Sequence, residues 1–132
     1  YMENKIIHPE GWKATKGYAN GILSNNGQLF IGGQIGWTSS QVFETDTFIG
    51  QMEQTLINIV TIVKAAGGEA KDIVRLTWYI KDKNEYLNNQ KLIGEVYQRL
   101  IGKHYPAMAM VVVKDLIEDK ALLEIEATAI LS

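Results

Sequence analysis

Between Phe48 and Ile80 the hydrophobic period changes from that of a helix to that of a strand, and this switch constrains the fold more than any other feature of the chain. Phe48, Met52, Thr55, Leu56, Ile59 and Val63 recur at the three-and-four spacing of one helical face. Ala65-Ala66-Gly67-Gly68 closes the run, because glycine enters the left-handed conformation at a helix end without a Cβ penalty. Thr45 and Asp46 offer side-chain oxygens for the N-terminal cap. Residues 72 to 80 are then rich in β-branched and aromatic side chains. Val74, Leu76, Trp78 and Ile80 alternate there against Arg75, Thr77 and Tyr79, which predicts a half-buried strand. A chain that carries both periods in succession stacks helix on sheet.

The flanking segments complete the pattern. Residues 4 to 7 predict a short edge strand ending at His8-Pro9, since the proline ring removes a donor and pushes its predecessor toward extended geometry. Residues 19 to 24 and 28 to 35 flank Asn25-Asn26-Gly27 and predict a β-hairpin. A second amphipathic helix over 84–101 is marked by Leu92, Val96 and Leu100, with Gly102 as its stop. Two strands, 107–113 and 121–131, follow, separated by a charged connection. The order β, hairpin, α, β, α, β, β predicts an α+β sandwich with both helices on one face of a mixed sheet. The other face is then expected to stay apolar through Met108, Met110 and Val112, a patch of the kind that oligomers bury.

Length and composition fit this reading and narrow the chemistry. The 132 residues suit one domain over 2–132, with roughly two-thirds of the unfolded surface buried. Tyr1, before Met2, is read as an expression remnant. Thirteen Lys and Arg against fifteen Asp and Glu give a net charge of −2 with no dense basic block, which disfavours nucleic acid as a partner. The absence of cysteine excludes disulfides, thiol nucleophiles and iron–sulfur centres. No apolar run approaches the roughly 18 residues of a membrane span and no secretory signal opens the chain, so a cytoplasmic protein without a membrane partner is expected.

Glu124 and Glu126 stand two apart in a predicted strand, so their carboxylates share one side while Leu123, Ile125 and Ala127 take the other. Like charge and desolvation raise the pKa of at least one acid in such a pair, giving a group that can exchange protons with a substrate or water. The plainer alternative pairs each acid with Arg75 or a lysine on a neighbouring strand. In Ile31-Gly32-Gly33-Gln34-Ile35-Gly36-Trp37 the glycines permit close backbone approach by a ligand or simply make a tight bend; the lysine and hydroxyl of a phosphate loop are missing. Trp37 and Trp78 offer flat pocket walls or plain core. His8 and His104 fall in different elements, so no metal is expected. No Gly-x-Ser-x-Gly elbow surrounds any serine.

Read together, Tyr105-Pro106-Ala107-Met108-Ala109-Met110 and Leu123-Glu124-Ile125-Glu126-Ala127-Thr128-Ala129 resemble the RidA family, also called YjgF or endoribonuclease L-PSP. Gly17-Tyr18, Phe30-Ile31-Gly32-Gly33-Gln34-Ile35, Asn58-Ile59, Ala66-Gly67-Gly68 and Tyr79-Ile80-Lys81-Asp82 extend the resemblance over nearly the whole chain. It implies a chorismate-mutase-like fold with a six-stranded sheet, a homotrimer around a central β-barrel, and small-molecule clefts between neighbouring subunits. It further implies cofactor-free hydrolysis of reactive enamines and imines to 2-oxo acids and ammonia, with a glutamate orienting water and an arginine anchoring the substrate carboxylate.

By that resemblance Glu124 and Tyr18 take the catalytic positions, and Gly33, Trp37, Met108 and Ala109 line the substrate site. Pro-Ala-Arg-Ser of the family reads here as Pro106-Ala107-Met108-Ala109, so methionine stands at the carboxylate anchor. The small hydroxyl residue before Gly-Gln is Gly32, and the helical asparagine falls near Gly94. A desolvated guanidinium–carboxylate pair contributes about 1.5 to 3 kcal/mol, so its loss weakens an anionic ligand roughly tenfold or more. The cleft is therefore expected to suit a neutral or apolar ligand, with the Glu124 pKa higher than beside an arginine. Two functions stand side by side, an imine or enamine deaminase with altered substrate and a non-catalytic small-molecule-binding trimer. Ribonuclease activity has the least support in an acidic chain without a basic stripe.

Overall fold

The computed structural model describes residues 3–132; Tyr1 and Met2 lie outside the described residues. Strands β1 (Lys5–Ile7), β2 (Gly21–Leu23), β3 (Gln28–Ile35), β4 (Ile73–Ile80), β5 (Ala107–Val112) and β6 (Leu123–Ile130) form one sheet in the order β1-β2-β3-β6-β4-β5. The pairing of β4 with β5 is parallel and the other pairings are antiparallel, so the sheet is mixed as expected. At the hairpin Gly27 takes a φ of 92°, and a Cβ there would crowd the Leu131 carbonyl, which explains the glycine.

Helix α1 (Phe48–Ala65) is capped by Thr47, whose Oγ1 accepts from the Gly50 amide at 3.1 Å; Thr45 Oγ1 in turn accepts from the Thr47 amide. The helix predicted over 84–101 is broken into α2 (Lys83–Leu87) and α3 (Gln90–Leu100), giving three α-helices among the described residues rather than two. Asn88 ends the first piece, and Asn89 stands at the N-cap position of the second without a side-chain capping bond. The Asn89 side chain donates to the Glu85 carbonyl at 2.6 Å, the local competition by which asparagine interrupts a helix.

The core lies between the helices and one face of the sheet. Met52, Leu56, Ile59, Ile62 and Val63 of α1 meet Leu29, Ile31, Leu76, Trp78, Ile80, Leu123 and Ile125, all buried. Val74 departs from the predicted alternation and is exposed, because the register slips between Ile73 and Arg75 and makes Val74 the extra residue of a bulge.

The uncovered face also differs from expectation. Met108, Met110 and Val112 pair in register with Leu76, Trp78 and Ile80, so they lie on the helix side of the sheet. Met108 is 46% exposed because β5 is an edge strand that the helices do not fully cover. The uncovered face instead carries Arg75, Thr77, Tyr79, Glu124, Glu126 and Thr128, flanked by Phe30, Val111 and Ile130. Alternation sorts the residues of β5 into two sets; only pairing with β4 decides which set meets the helices.

Candidate functional site

Glu124 and Glu126 do share one face of β6 while Leu123, Ile125 and Ala127 are buried on the other. Glu124 lies between Ile35 of β3 and Tyr79 of β4, and Glu126 lies beside Thr77. Opposite Glu126 the β3 register jumps between Ile31 and Gln34, so Gly32-Gly33 forms a bulge. A Cβ on Gly33 would overlap the Glu124 carboxylate, so glycine lets that side chain lie against the main chain.

The bulge is held from the core side. Gln34 is buried, and its Nε2 donates to the Gly32 carbonyl at 3.1 Å and to Asn20 Oδ1 at 3.2 Å. The Gly32 amide donates to the Asn20 carbonyl at 2.9 Å. This anchorage brings the segment just after Tyr18 against the bulge. Tyr18 itself is 54% exposed, and its carbonyl accepts from Thr15 Oγ1.

The carboxylates have different surroundings. Glu126 accepts from the Tyr79 hydroxyl at 2.6 Å, and this bond, ahead of burial and the two carboxylate charges, raises the Tyr79 pKa. Glu124 is half-buried; burial first and the Glu126 charge second push its carboxyl above the ordinary range. The ion pairs among the described residues join Lys71 to Glu69, Lys81 to Asp115 and Arg99 to Glu53, so the pairing of Glu124 and Glu126 with Arg75 or a lysine is not what the structure shows. Arg75 shares the open face and, with Phe30, Thr77, Glu126 and Thr128, lines a depression of about 340 Å³.

The remaining predicted residues are dispersed. Ala109 pairs with Thr77 and lies on the open face with the acids, whereas Met108 points to the helix side. Trp37 follows β3, tilts against Phe43 at 5.8 Å, and lines a groove with Gln41, Val42 and residues 118–120. His8 and His104 belong to opposite edges of the sheet and contact the Trp12 and Ile73 carbonyls. Among the described residues no three His, Asp or Glu side chains gather in a metal-binding group, and no helix is long and apolar enough to cross a membrane.

Three side chains support this region in ways that spacing alone does not indicate. Tyr79 belongs to the polar set of the β4 alternation, and its place beside two strand acids is a usable signal. Asn58 donates from Nδ2 to the Ile35 and Trp37 carbonyls and fixes the exit of β3. Gln51 donates to the Thr45 and Lys120 carbonyls and accepts from the Leu122 amide, tying the loop before α1 to the start of β6. Buried amides on the otherwise apolar face of α1 are the signature that could have revealed both.

Comparison with known proteins fits this architecture. The sequence pattern of the family described as Endoribonuclease L-PSP matches residues 9–131. A RutC family protein from Pyrococcus horikoshii is 36% identical over 97% of this chain and 98% of its own length. The 2-iminobutanoate/2-iminopropanoate deaminase of Escherichia coli is 29% identical over 96% of this chain and 98% of its own. The crystal structure of Escherichia coli TdcF with bound serine superposes with a TM-score of 0.80 at 32% identity, covering 97% of this chain and 99% of that one.

Proposed function

Because this chain belongs to the endoribonuclease L-PSP (RidA) family, we propose that it hydrolyses reactive imines or enamines that lack a carboxylate beside the reacting carbon. The observation that carries the reading is the half-buried Glu124 carboxyl laid against Gly33. As a carboxylate it takes a proton from water while the water oxygen bonds to the imine carbon and the C=N pair moves to nitrogen. Returned to nitrogen, that proton completes the neutral carbinolamine; Glu124 then takes the hydroxyl proton and passes it to the amino nitrogen, so the C–N bond breaks, ammonia leaves and the oxygen becomes the carbonyl. Water and imine are consumed, and carbonyl and ammonia are formed.

Substrate choice follows from Met108. The serine of TdcF and the 2-imino acids named for the Escherichia coli deaminase carry a carboxylate, which methionine meets only with an apolar surface. Met108 and Glu124 lie on opposite faces of one sheet, so a cleft that contains both draws Glu124, Gly33 and Tyr18 from one subunit and Met108 from the next. A homotrimer with clefts between subunits satisfies this requirement.

The test generates imines in situ, from alanine with an amino-acid oxidase and from benzylamine with a flavin amine oxidase, and uses semicarbazide to trap what escapes hydrolysis. The expected result is that the protein lowers trapping of the neutral imine more than that of the carboxylated one. Met108→Arg should reverse the preference, by roughly tenfold or more from a charge-assisted pair. If neither imine is diverted by either protein, the deaminase reading fails and the cleft is a binding site without turnover.

A further inference from the structure

Gly32 and Gly33 form the bed on which the Glu124 carboxylate lies, and neither has room for a side chain to hold it in place. A Cβ on Gly33 would overlap that carboxylate, and one on Gly32 would come within 3.2 Å of the Ala19 carbonyl. Successive glycines are also the most costly residues to order. Hydrogen bonds must therefore fix the segment, and Gly32 is held at both of its backbone groups. Its amide donates to the Asn20 carbonyl at 2.9 Å, and its carbonyl accepts from Gln34 Nε2 at 3.1 Å. The other hydrogen of Nε2 goes to Asn20 Oδ1 at 3.2 Å. Asn20 turns its Nδ2 to His8 Nδ1 at 3.5 Å, while His8 Nε2 donates to the Trp12 carbonyl at 3.0 Å. The polarity agrees at every link: the carbonyl takes the imidazole proton at Nε2, so Nδ1 accepts from Asn20, and Oδ1 is the Asn20 atom presented to Gln34.

Gln34 and Asn20 are only 4% and 7% exposed. An amide pair buried this deeply adds little net stability over hydrocarbon of the same shape, so its value under a bulge lies in the geometry it sets. We propose that Gln34 is a positioning residue for Glu124: its amide, seated on Asn20, fixes the Gly32-Gly33 bulge against which the Glu124 carboxylate lies. The same pair ties the segment just after Tyr18 to the bulge. What Glu124 does from that position rests on the proposed hydrolysis; the placement itself does not.

Gln34→Met keeps the length and bulk of the side chain but has no donor. The Glu124 carboxyl is followed by 13C NMR in glutamate-labelled protein, its signal assigned by loss in Glu124→Gln. Its titration midpoint is expected to move down toward the ordinary carboxylate range, because a freed bulge admits water to a carboxyl that burial holds up. Glu126, Tyr79 and Arg75, the charged and titratable groups on that face, are unaltered in this variant. In imine hydrolysis kcat should fall roughly tenfold or more with KM little changed, the mark of a misplaced base. Gln51→Leu is the control for lost stability, since it gives up three bonds of a buried amide and none to the bulge. Its urea midpoint should fall while the Glu124 titration stays in place. Asn20→Leu removes the seat but leaves the Gln34 donor, and should move the titration in the same direction as Gln34→Met; it decides the question if Gln34→Met does not fold. An unmoved Glu124 midpoint in a folded variant of either residue overturns the proposal. So does an equal shift in Gln51→Leu, which would make the shift a consequence of any loss of core stability. The titration needs no turnover, so the two readings separate. A shifted midpoint in a protein that hydrolyses no imine removes the reaction and leaves the positioning role; an unmoved midpoint with undiminished kcat does the reverse.

Discussion

In the proposed reaction Glu124 and Gly33 act as a pair, because the Glu124 carboxylate lies where a β-carbon on the glycine would be. Gly33→Ala therefore displaces the carboxylate rather than the sheet: imine hydrolysis should fall at least tenfold in kcat, with a urea midpoint close to that of the unmodified protein. The pair of acids sets the pH response. The folded-state pKa of Glu124 is raised, so the folded protein holds that proton more tightly than the unfolded chain does, and ionisation costs stability as pH rises from the ordinary carboxyl range through the raised value. Glu124→Gln removes that slope, so it should abolish turnover while leaving stability at neutral pH equal or slightly higher, as urea titrations at pH 4 and 7 would reveal. Glu126→Gln removes the second cause of the raised pKa. The acid limb of the pH–rate profile should then move to lower pH, and an unmoved limb would show that burial alone governs Glu124.

At the scale of elements, two buried amides on α1 do what the hydrophobic pattern cannot. Gln51 reaches two carbonyls and one amide in segments far apart in sequence. Gln51→Leu keeps the volume but leaves three part-buried backbone groups without their side-chain partner. A loss of about 3 kcal/mol is expected in urea unfolding, with the Glu124 acid limb unchanged. These contacts also mark where sequence reading stops. Periodicity located β3, α1, β4 and β6, and the parity of β6 placed Glu124 and Glu126 on one side, because spacing within one element carries that information. It did not foresee the slip at Val74, the break at Asn88-Asn89 or the side taken by Met108. Each of those depends on a neighbouring strand or a local side-chain bond, and such information lies outside any single period. Trp37 illustrates the same limit: its side chain packs on Phe43, a partner from the following loop that no alternation along β3 could indicate.

For the whole molecule, the decisive fact is that the proposed site is divided by the sheet. Glu124 faces away from the helices and Met108 faces toward them, so one chain alone does not place both around one substrate. The uncovered face, with Phe30, Val111 and Ile130 around a polar ladder, and the two sheet edges β1 and β5 are the surfaces through which copies can meet. Subunit mixing tests the division directly. Glu124→Gln and Met108→Asp should each be inactive as pure oligomers. After mild denaturation and joint refolding at equal amounts, a cleft formed by the Glu124 side of a Met108→Asp subunit and the Met108 side of a Glu124→Gln subunit contains neither defect. In random trimers about a quarter of clefts are of this kind, so about a quarter of the activity should return. Were the site built within one chain, every cleft would carry one defect or the other and mixing would restore nothing. The restored fraction therefore reports whether catalysis is a property of the chain or of its assembly.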